Sequence, residues 1–429
     1  MFTTDSLHIM RLISNKKSHK KSHKKSHKKS HKKSHKKIQK KHYNTVNNDK
    51  LILKYDDLLE SIEDDLRPLF TMLKNTEKYN HTINSKEKTI HQELNKYIAK
   101  NIVEYINTKI KYRQDYVVKI NNKTINLSIN SEIQFTDSNM KVFLNKLIYA
   151  IGIVTNLSSD DKTINLVIYL TPHKKTCDEF KQREYITVEE INSGSTKCCD
   201  KPYVIVCRIE ELFKVVIHEL IHALDFDVKN DDINVCKKIK DVMNIDTPYN
   251  MFEAYTEIWA NILNAYFIAN VMINNKSLEE TFQLFIELIK IEQRWSFFQA
   301  AKIMILTNAK IEPHIHYNKL INLNKNTNVL AYFILRSFIF FEFNDFIRNC
   351  RDNNINYINL NGNMDFFSNI MLNLTLQTIY NKEYILLIKR NKRVLKYLKY
   401  LNNHRKNKKL KNNILLLTLR MSACELNII

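Results

Sequence analysis

Residues 215–224 decide how the rest of the chain is interpreted, and they read Val215-Val216-Ile217-His218-Glu219-Leu220-Ile221-His222-Ala223-Leu224. The run is apolar except for His218, Glu219 and His222, and it predicts a buried helix. Burying three polar side chains on one helix costs free energy unless they have partners or a role. The HExxH pattern that they form is expected by chance only about 0.03 times in this chain. These three residues are therefore the first candidates for a functional site.

The spacing of the two histidines is typical of a metal site. His218 and His222 are four residues apart, so their imidazoles leave the same face of the helix about one turn apart. Both nitrogens can then bind one Zn²⁺ at about 2.0–2.1 Å. Glu219 is displaced from that face, where it can act as general base toward a zinc-activated water that attacks a carbonyl. The alternative is a buried His/Glu cluster without a metal.

A catalytic zinc site also needs a third protein ligand and an open position. The HExxHxxGxxH pattern, in which a third His supplies that ligand, is absent. Asp225 and Val228 stand at its Gly and His positions. Asp225 and Asp227 follow the motif directly and stay open as alternative ligands.

A second acidic pair lies downstream, in residues 252–260, which read FEAYTEIWA. Glu253 and Glu257 are four residues apart, so they share one face of a second, mostly apolar helix. The 30 residues between His222 and Glu253 are enough for a loop and a returning helix. Either carboxylate can be the third ligand, and the alternative is a solvated acidic face.

Together, HExxH and the downstream E-x-x-x-E resemble the gluzincin metallopeptidases over residues 203–262. The resemblance implies a zincin-like catalytic domain that binds Zn²⁺ and hydrolyses peptide or protein substrates. It implies Glu253 as the third zinc ligand and Glu257 as the outer residue that orients a ligating histidine, His218.

The resemblance implies two further features of the cleft. In zincins a β-strand runs along the cleft and pairs with the substrate backbone, and the predicted strand Tyr203–Arg208 is a candidate for part of that sheet. A Tyr or His should also stabilise the transition state. His314, His316 and Tyr317 are candidates for that role, and the alternative is an ordinary polar loop.

Away from the motif, the chain is predicted to be α+β. Helical periodicity covers residues 50–110, and a β-hairpin is predicted over 115–130. The next predicted elements are a helix at 138–153, strands at 164–170 and 203–208, and mostly helices from 210 to 401. The predicted division is a disordered basic tail (1–42), a helical N-terminal region (43–112), a zincin-like metallopeptidase domain (113–300), a helical C-terminal region (301–388) and a basic helical tail (389–429).

The composition describes a globular body with two cationic ends. Hydrophobic residues make up 44% of the chain, and its 3 glycines exclude a P-loop or a GxGxxG nucleotide site. The net charge is +22. Residues 1–42 hold 15 Lys and Arg and one acidic residue, and residues 381–412 hold 12 Lys and Arg and one acidic residue. The region between is faintly acidic, so the charge belongs to the two ends.

The two basic ends differ in character. Residues 16–37 repeat SHKK five times without an apolar residue, which predicts disorder. Residues 389–411 instead place Val394, Leu395 and Leu398 among Lys and Arg at helical spacing, which predicts either a helix packed on the body or one that binds RNA, DNA or an anionic membrane. The second functional hypothesis is therefore a polyanion-binding (nucleic acid) protein whose zinc site is structural or inactive.

The sequence also bears on compartment and origin. It contains no signal-peptide pattern, and its longest apolar stretch, near Leu330–Phe343, is too short and too interrupted to span a bilayer. Its seven cysteines have irregular spacing without a CxxC pair, which favours an intracellular, reducing compartment. At Cys177, Cys198, Cys199 and Cys207 it favours free buried thiols over a structural zinc site. The richness in Asn, Lys and Ile resembles proteins of amoeba-infecting, mimivirus-like giant viruses.

Overall fold

The computed structural model describes most of the chain. The described residues are 1–13, 61–77, 80–86, 97–273, 277–309, 323–325, 327–404 and 414–429. The SHKK tract and the three candidates His314, His316 and Tyr317 lie outside them.

The described residues form a mixed sheet surrounded by helices. The helices are α1 (Thr4–Ile13), α2 (Glu63–Thr76), α3 (Lys100–Lys109), α4 (Asp137–Thr155), α5 (Val188–Ile191), α6 (Leu212–Ala223), α7 (Ile233–Met243), α8 (Phe252–Ile273), α9 (Leu278–Leu306), α10 (Arg336–Phe341, preceded by a π-helical segment at Leu330–Leu335), α11 (Phe343–Asn353), α12 (Met364–Tyr380), α13 (Lys382–His404) and α14 (Ile414–Leu417). The strands are β1 (His81–Lys86), β2 (Tyr112–Ile120), β3 (Lys123–Ser131), β4 (Thr163–Tyr169), β5 (Ile186–Thr187), β6 (Gly194–Lys197), β7 (Tyr203–Val206) and β8 (Asn324–Lys325). The predicted α+β class is confirmed.

The six-stranded sheet has the order β1-β2-β3-β4-β7-β6. The predicted hairpin is confirmed as β2 and β3, joined at Asn121, whose φ of 51° suits the left-handed conformation that Asn tolerates in turns. β3, β4 and β7 pair in parallel, and α4 makes the crossover between β3 and β4 that parallel pairing requires. β6 pairs antiparallel with β7 and forms one edge of the sheet.

Successive side chains along the central strands point to opposite faces of the sheet. Val167 of β4 and Ile205 of β7 pack under α3 in a small cluster on one face. Their neighbours Leu166 and Val204 join the main core on the opposite face, where α4 and α6 pack. The main core is a contiguous set of buried apolar residues that extends from Ile9 to Leu426.

The motif helix α6 lies at the centre of this core. It packs against α4, α8, β6 and β7, and every residue from Leu212 to Ile221 is buried. Apolar residues on most sides of α6 explain this position, because they are stabilised by burial against neighbouring elements. None of the helices within the described ranges has both the length and the apolar character that a membrane crossing needs.

Candidate metal centre

Three side chains from α6 and α8 meet at one point. His218 Nε2 lies 3.2 Å from His222 Nε2 and 3.2 Å from Glu253 Oε2, and His222 Nε2 lies 3.4 Å from Glu253 Oε2. Ligand atoms at the corners of a tetrahedron around zinc, at about 2.0–2.1 Å from the metal, are about 3.3 Å apart. Within the described residues these three form the one group of His, Cys, Asp or Glu with metal-ligand spacing. The three atoms are spaced as the ligands of one metal ion would be.

The outer nitrogens of both imidazoles face carboxylates, which turns the inner nitrogens toward the cluster. His218 Nδ1 lies 3.1 Å from Glu257 Oε2, and His222 Nδ1 lies 2.5 Å from Asp227 Oδ2. Asp227 is itself fixed by the hydroxyl of Thr256, which donates to Oδ2 at 2.9 Å. Such carboxylate–histidine pairs set the ring orientation and raise the basicity of a metal ligand.

The four acidic candidates of the sequence thus have separate positions. Glu253 lies with the two histidines, and Glu257 lies behind His218. Asp227 faces the outer nitrogen of His222, whereas Asp225 pairs with Lys162 outside the cluster. The sequence predicted Asp227 only as an alternative metal ligand. Its contact with the outer nitrogen of His222 was therefore missed.

Asp227→Asn should weaken zinc binding about 10- to 100-fold, because the amide no longer stabilises the orientation and basicity of His222. Competition with a fluorescent zinc chelator measures the affinity. Asp225→Asn is the matched control, since it removes a nearby carboxylate that pairs with Lys162. Equal zinc affinities in the two variants would argue against this role of Asp227.

The carboxylates also shift the pKa of both histidines. Burial favours the neutral imidazoles, but hydrogen bonds to Glu253 and Glu257 outweigh it and raise the pKa of His218. Burial likewise opposes protonation of His222, yet Asp227 and Glu253 raise its pKa well above the ordinary value. Conversely, His222 and His218 overcome the effect of burial on Glu253 and hold its pKa below its usual range.

Zinc affinity should therefore fall steeply from neutral pH into mild acid. A protonated imidazole cannot bind metal, and a raised pKa moves this proton competition to higher pH than for free histidine. Zinc titrations at a series of pH values measure the effect. An affinity that stays constant until well below the ordinary histidine pKa would contradict the shift.

Glu219 points into the same site from the side of the sheet edge. Its Oε2 accepts a hydrogen bond of 2.7 Å from the Thr196 hydroxyl on β6. The carboxylate also packs directly on Gly194, where a Cβ atom would lie 2.5 Å from Glu219 Oε1. Burial raises the pKa of Glu219, and the two histidines oppose part of that shift. The pKa of this carboxyl group is therefore higher than that of a free glutamate.

Gly194→Ala should displace the Glu219 carboxylate while leaving the three metal-binding side chains in place. The added methyl group cannot share the space now filled by the carboxyl group. We expect the variant to take up metal as the unaltered protein does, measured as the metal content of the purified protein. Loss of metal uptake in the variant would contradict this separation of the Glu219 carboxylate from the three clustered side chains.

A cavity of about 710 Å³ opens over the cluster. Its walls include Gly194–Thr196 of β6 on one side and Tyr249 and Phe252 on another. Tyr332, from the π-helical segment, reaches the cluster and donates to Glu253 Oε2 at 3.2 Å. Burial and the nearby Glu253 raise the pKa of Tyr332 well above the ordinary value, so its hydroxyl keeps its proton.

A buried charge network lies behind the cluster. Glu257 forms ion pairs with Lys214 and with Arg336 Nη1, the latter at 3.2 Å. Arg336 also donates to the backbone carbonyl of Met421 in the C-terminal segment. Burial opposes the ionised form of Glu257, but Lys214, His218 and Arg336 hold its pKa below its usual range. The carboxylate that contacts His218 therefore stays charged.

Among the described residues no cysteine belongs to the group with metal-ligand spacing, although Cys198 lines the cavity. All seven lie within the described residues and are free thiols, as the sequence predicted. The predicted burial is confirmed for Cys177 and Cys207 but is wrong for Cys198 and Cys199, which are exposed at the end of the edge strand β6 and in the turn to β7.

A comparison with known proteins finds a partial likeness. The chain is 27% identical, over 183 residues, to an uncharacterized protein of Acanthamoeba polyphaga mimivirus. The match covers 39% of this chain and 45% of that relative, so less than half of the relative is represented. No protein-family model matches the chain, and no solved structure matches it. The likeness agrees with the giant-virus composition of the sequence.

Proposed function

We propose that the protein is a zinc-dependent peptidase. The observation that carries the proposal is the spacing of His218, His222 and Glu253, whose three ligand atoms lie 3.2–3.4 Å apart. Two imidazoles and one carboxylate leave a fourth position open, as catalytic zinc sites do. Zinc in such a site polarises a carbonyl group and lowers the pKa of a water molecule.

Glu219 is the proposed general base. Its carboxyl faces the same cavity as the three ligands, and Thr196 and Gly194 restrict its position. It takes a proton from the attacking water and can return it to the leaving amine of the cleaved bond. A base with a raised pKa suits both steps, because it must accept and then release the proton.

Tyr332 is the proposed oxyanion stabiliser. Its hydroxyl stays protonated and already lies 3.2 Å from the carboxylate of Glu253, beside the site of reaction. From there it can donate to the oxygen that becomes negative as water attacks the carbonyl.

Tyr332→Phe should lower kcat about 100-fold and change KM little, because the lost hydrogen bond forms mainly in the transition state. Steady-state cleavage of a fluorogenic peptide gives both constants. Tyr249→Phe is the matched control: Tyr249 shares the cavity wall, but its hydroxyl donates to the Cys236 carbonyl at 3.4 Å. Similar losses of kcat in both variants would argue against the role of Tyr332.

An extended polypeptide is the proposed substrate. β6 pairs with β7 along one side, and its residues 194–196 line the cavity. A peptide can add to the outer side of an edge strand, and here this would place it beside the cluster. This mode agrees with the cleft strand that the gluzincin resemblance implies.

A peptide library tests the proposed function. Full-length protein should cleave a mixed-sequence library, a chelator should stop the cleavage, and added zinc should restore it. Mass spectrometry of the products identifies the bonds cut. A zinc-loaded protein that cuts no peptide in the library would contradict the proposal.

A further inference from the structure

Helix α13 presents a strongly cationic outer face that the proposed peptidase chemistry does not use. Its inner face packs on α9 and α12 through buried residues that include Tyr384, Leu387 and Leu395. The helix is therefore part of the body, and its outward side chains have fixed positions along the surface.

Two arginines and two tyrosines follow one another along one exposed line of α13. Leu386, Arg390, Arg393, Tyr397 and Tyr400 occur at i, i+4, i+7, i+11 and i+14, so they form one stripe. Tyr397 is 41% exposed and Tyr400 is 56% exposed, and both stand among cations. We call these five residues the Arg/Tyr stripe.

A second line of cations flanks the Arg/Tyr stripe. Lys389, Lys396 and Lys399 follow one another at i, i+7 and i+10 and line a groove of about 450 Å³ between α13 and the end of α9. The groove has an apolar base that includes Phe180, and Lys399 Nζ lies 5.8 Å from the centre of that ring.

These cations have no carboxylate partner among the described residues. Salt bridges elsewhere engage surface cations such as Arg67, Lys74 and Arg348, but within the described parts of the chain none engages the two arginines of the stripe or the three flanking lysines. Side-by-side cations repel one another, so this face is complementary to an anion with repeated charges.

We propose that this face binds single-stranded nucleic acid, with phosphates on the cations and bases stacked on Tyr397 and Tyr400. Cationic grooves combined with exposed aromatic rings are how proteins hold single strands without strict sequence preference. A helix rises about 1.5 Å per residue, so the cations follow one another within the reach of a continuous backbone. This surface is separate from the metal centre, and the proposal does not depend on the peptidase activity.

Two other anionic partners fit the face less well. A duplex keeps its bases stacked on one another inside the double helix, so it offers the exposed rings of Tyr397 and Tyr400 no base to stack on. A helix that lies on a membrane turns its apolar face to the lipid, whereas the apolar face of α13 is buried in the body.

Binding of a fluorescent 20-nucleotide single strand to the full-length protein tests the proposal, measured at several salt concentrations. Arg390→Glu with Arg393→Glu should weaken binding at least about tenfold and reduce the salt slope by about 1.4, since two phosphate contacts are lost. Tyr397→Ala with Tyr400→Ala should weaken binding about tenfold or more with an unchanged salt slope, because stacking releases no counterions.

The control has the same charge change on another exposed surface. Lys237→Glu with Lys238→Glu on α7 should leave affinity within about twofold of the unaltered protein, since these lysines lie away from α13. Thermal unfolding verifies that all variants are folded. Ultraviolet crosslinking followed by mass spectrometry should attach nucleotides to Tyr397 or Tyr400.

Three results would overturn the proposal. Crosslinks confined to residues 1–42, with all variants binding equally, would assign the binding to the N-terminal basic repeat. Equal losses in the α13 and α7 charge variants would show only a dependence on net charge. Preferred binding to phosphatidylserine vesicles, lost with the same arginines, would make the face a membrane surface.

Discussion

Glu219→Gln should bind zinc as tightly as the unaltered protein and lose peptide cleavage by about 10³-fold or more. The substitution keeps the size of the side chain but removes its capacity to accept a proton, and general-base catalysis contributes about 10²–10⁴-fold. The glutamine can still accept the hydrogen bond from Thr196, so the local structure should persist.

Zinc content and the initial rate of cleavage, measured on one preparation, separate the two properties. The substitution leaves the three clustered side chains, His218, His222 and Glu253, unchanged. Cleavage at the unaltered rate would remove Glu219 from the mechanism. Loss of zinc together with activity would make it a structural residue instead.

Glu257→Gln should be the most destabilising of the conservative substitutions considered. Lys214 and Arg336 are buried, and both pair with this one carboxylate, so an uncharged amide would leave two buried cations without their anion. Removing one partner of a buried ion pair costs about 3–5 kcal/mol. Zinc affinity should also fall, because the same carboxylate faces Nδ1 of His218.

Urea unfolding measures the change in the free energy of unfolding. Glu279→Gln is the matched control, because Glu279 also pairs with an arginine, Arg67, but on the surface. We expect this control to unfold at nearly the same urea concentration as the unaltered protein. Equal unfolding midpoints for all three proteins would mean that the buried charges do not depend on Glu257.

The sequence predicts the parts of this site that follow from local helical geometry. His218 and His222 project together because they are four residues apart on one helix, and the same rule brings Glu253 and Glu257 to one face of α8. An apolar helix also predicts its own burial, which is why α6 lies in the centre of the core. The hairpin at Asn121 was predictable because the period of apolar residues changes there from helical to alternating.

The remaining residues of the site depend on contacts that no local pattern encodes. β6 reads GSTK, which has neither an alternating apolar pattern nor a run of strand-forming residues, so the strand that holds Gly194 and Thr196 was missed. β1, at His81–Lys86, reads HTINSK and lies in the stretch 50–110 that was predicted to be helical, so the prediction is wrong for these residues. Its register is set by pairing with β2 rather than by its own composition.

Tyr332, Lys214 and Arg336 were missed for a different reason. Each lies in an apolar stretch that reads as ordinary core, and each acts on a residue distant in sequence: Tyr332 on Glu253, and the two cations on Glu257. The sequence contained one signal, a cation at Lys214 and at Arg336 inside an apolar helix. Such a residue is buried only with an anionic partner. The sequence did not identify that partner.

The metal content and coordination of the purified full-length protein test the central claim most directly. After zinc loading, we expect one zinc ion per chain and an X-ray absorption spectrum of two imidazole nitrogens and one carboxylate oxygen at about 2.0–2.1 Å. Glu253→Ala should lose this ion. A protein that takes up no zinc, or a spectrum with sulfur ligands at about 2.3 Å, would contradict a centre built from His218, His222 and Glu253.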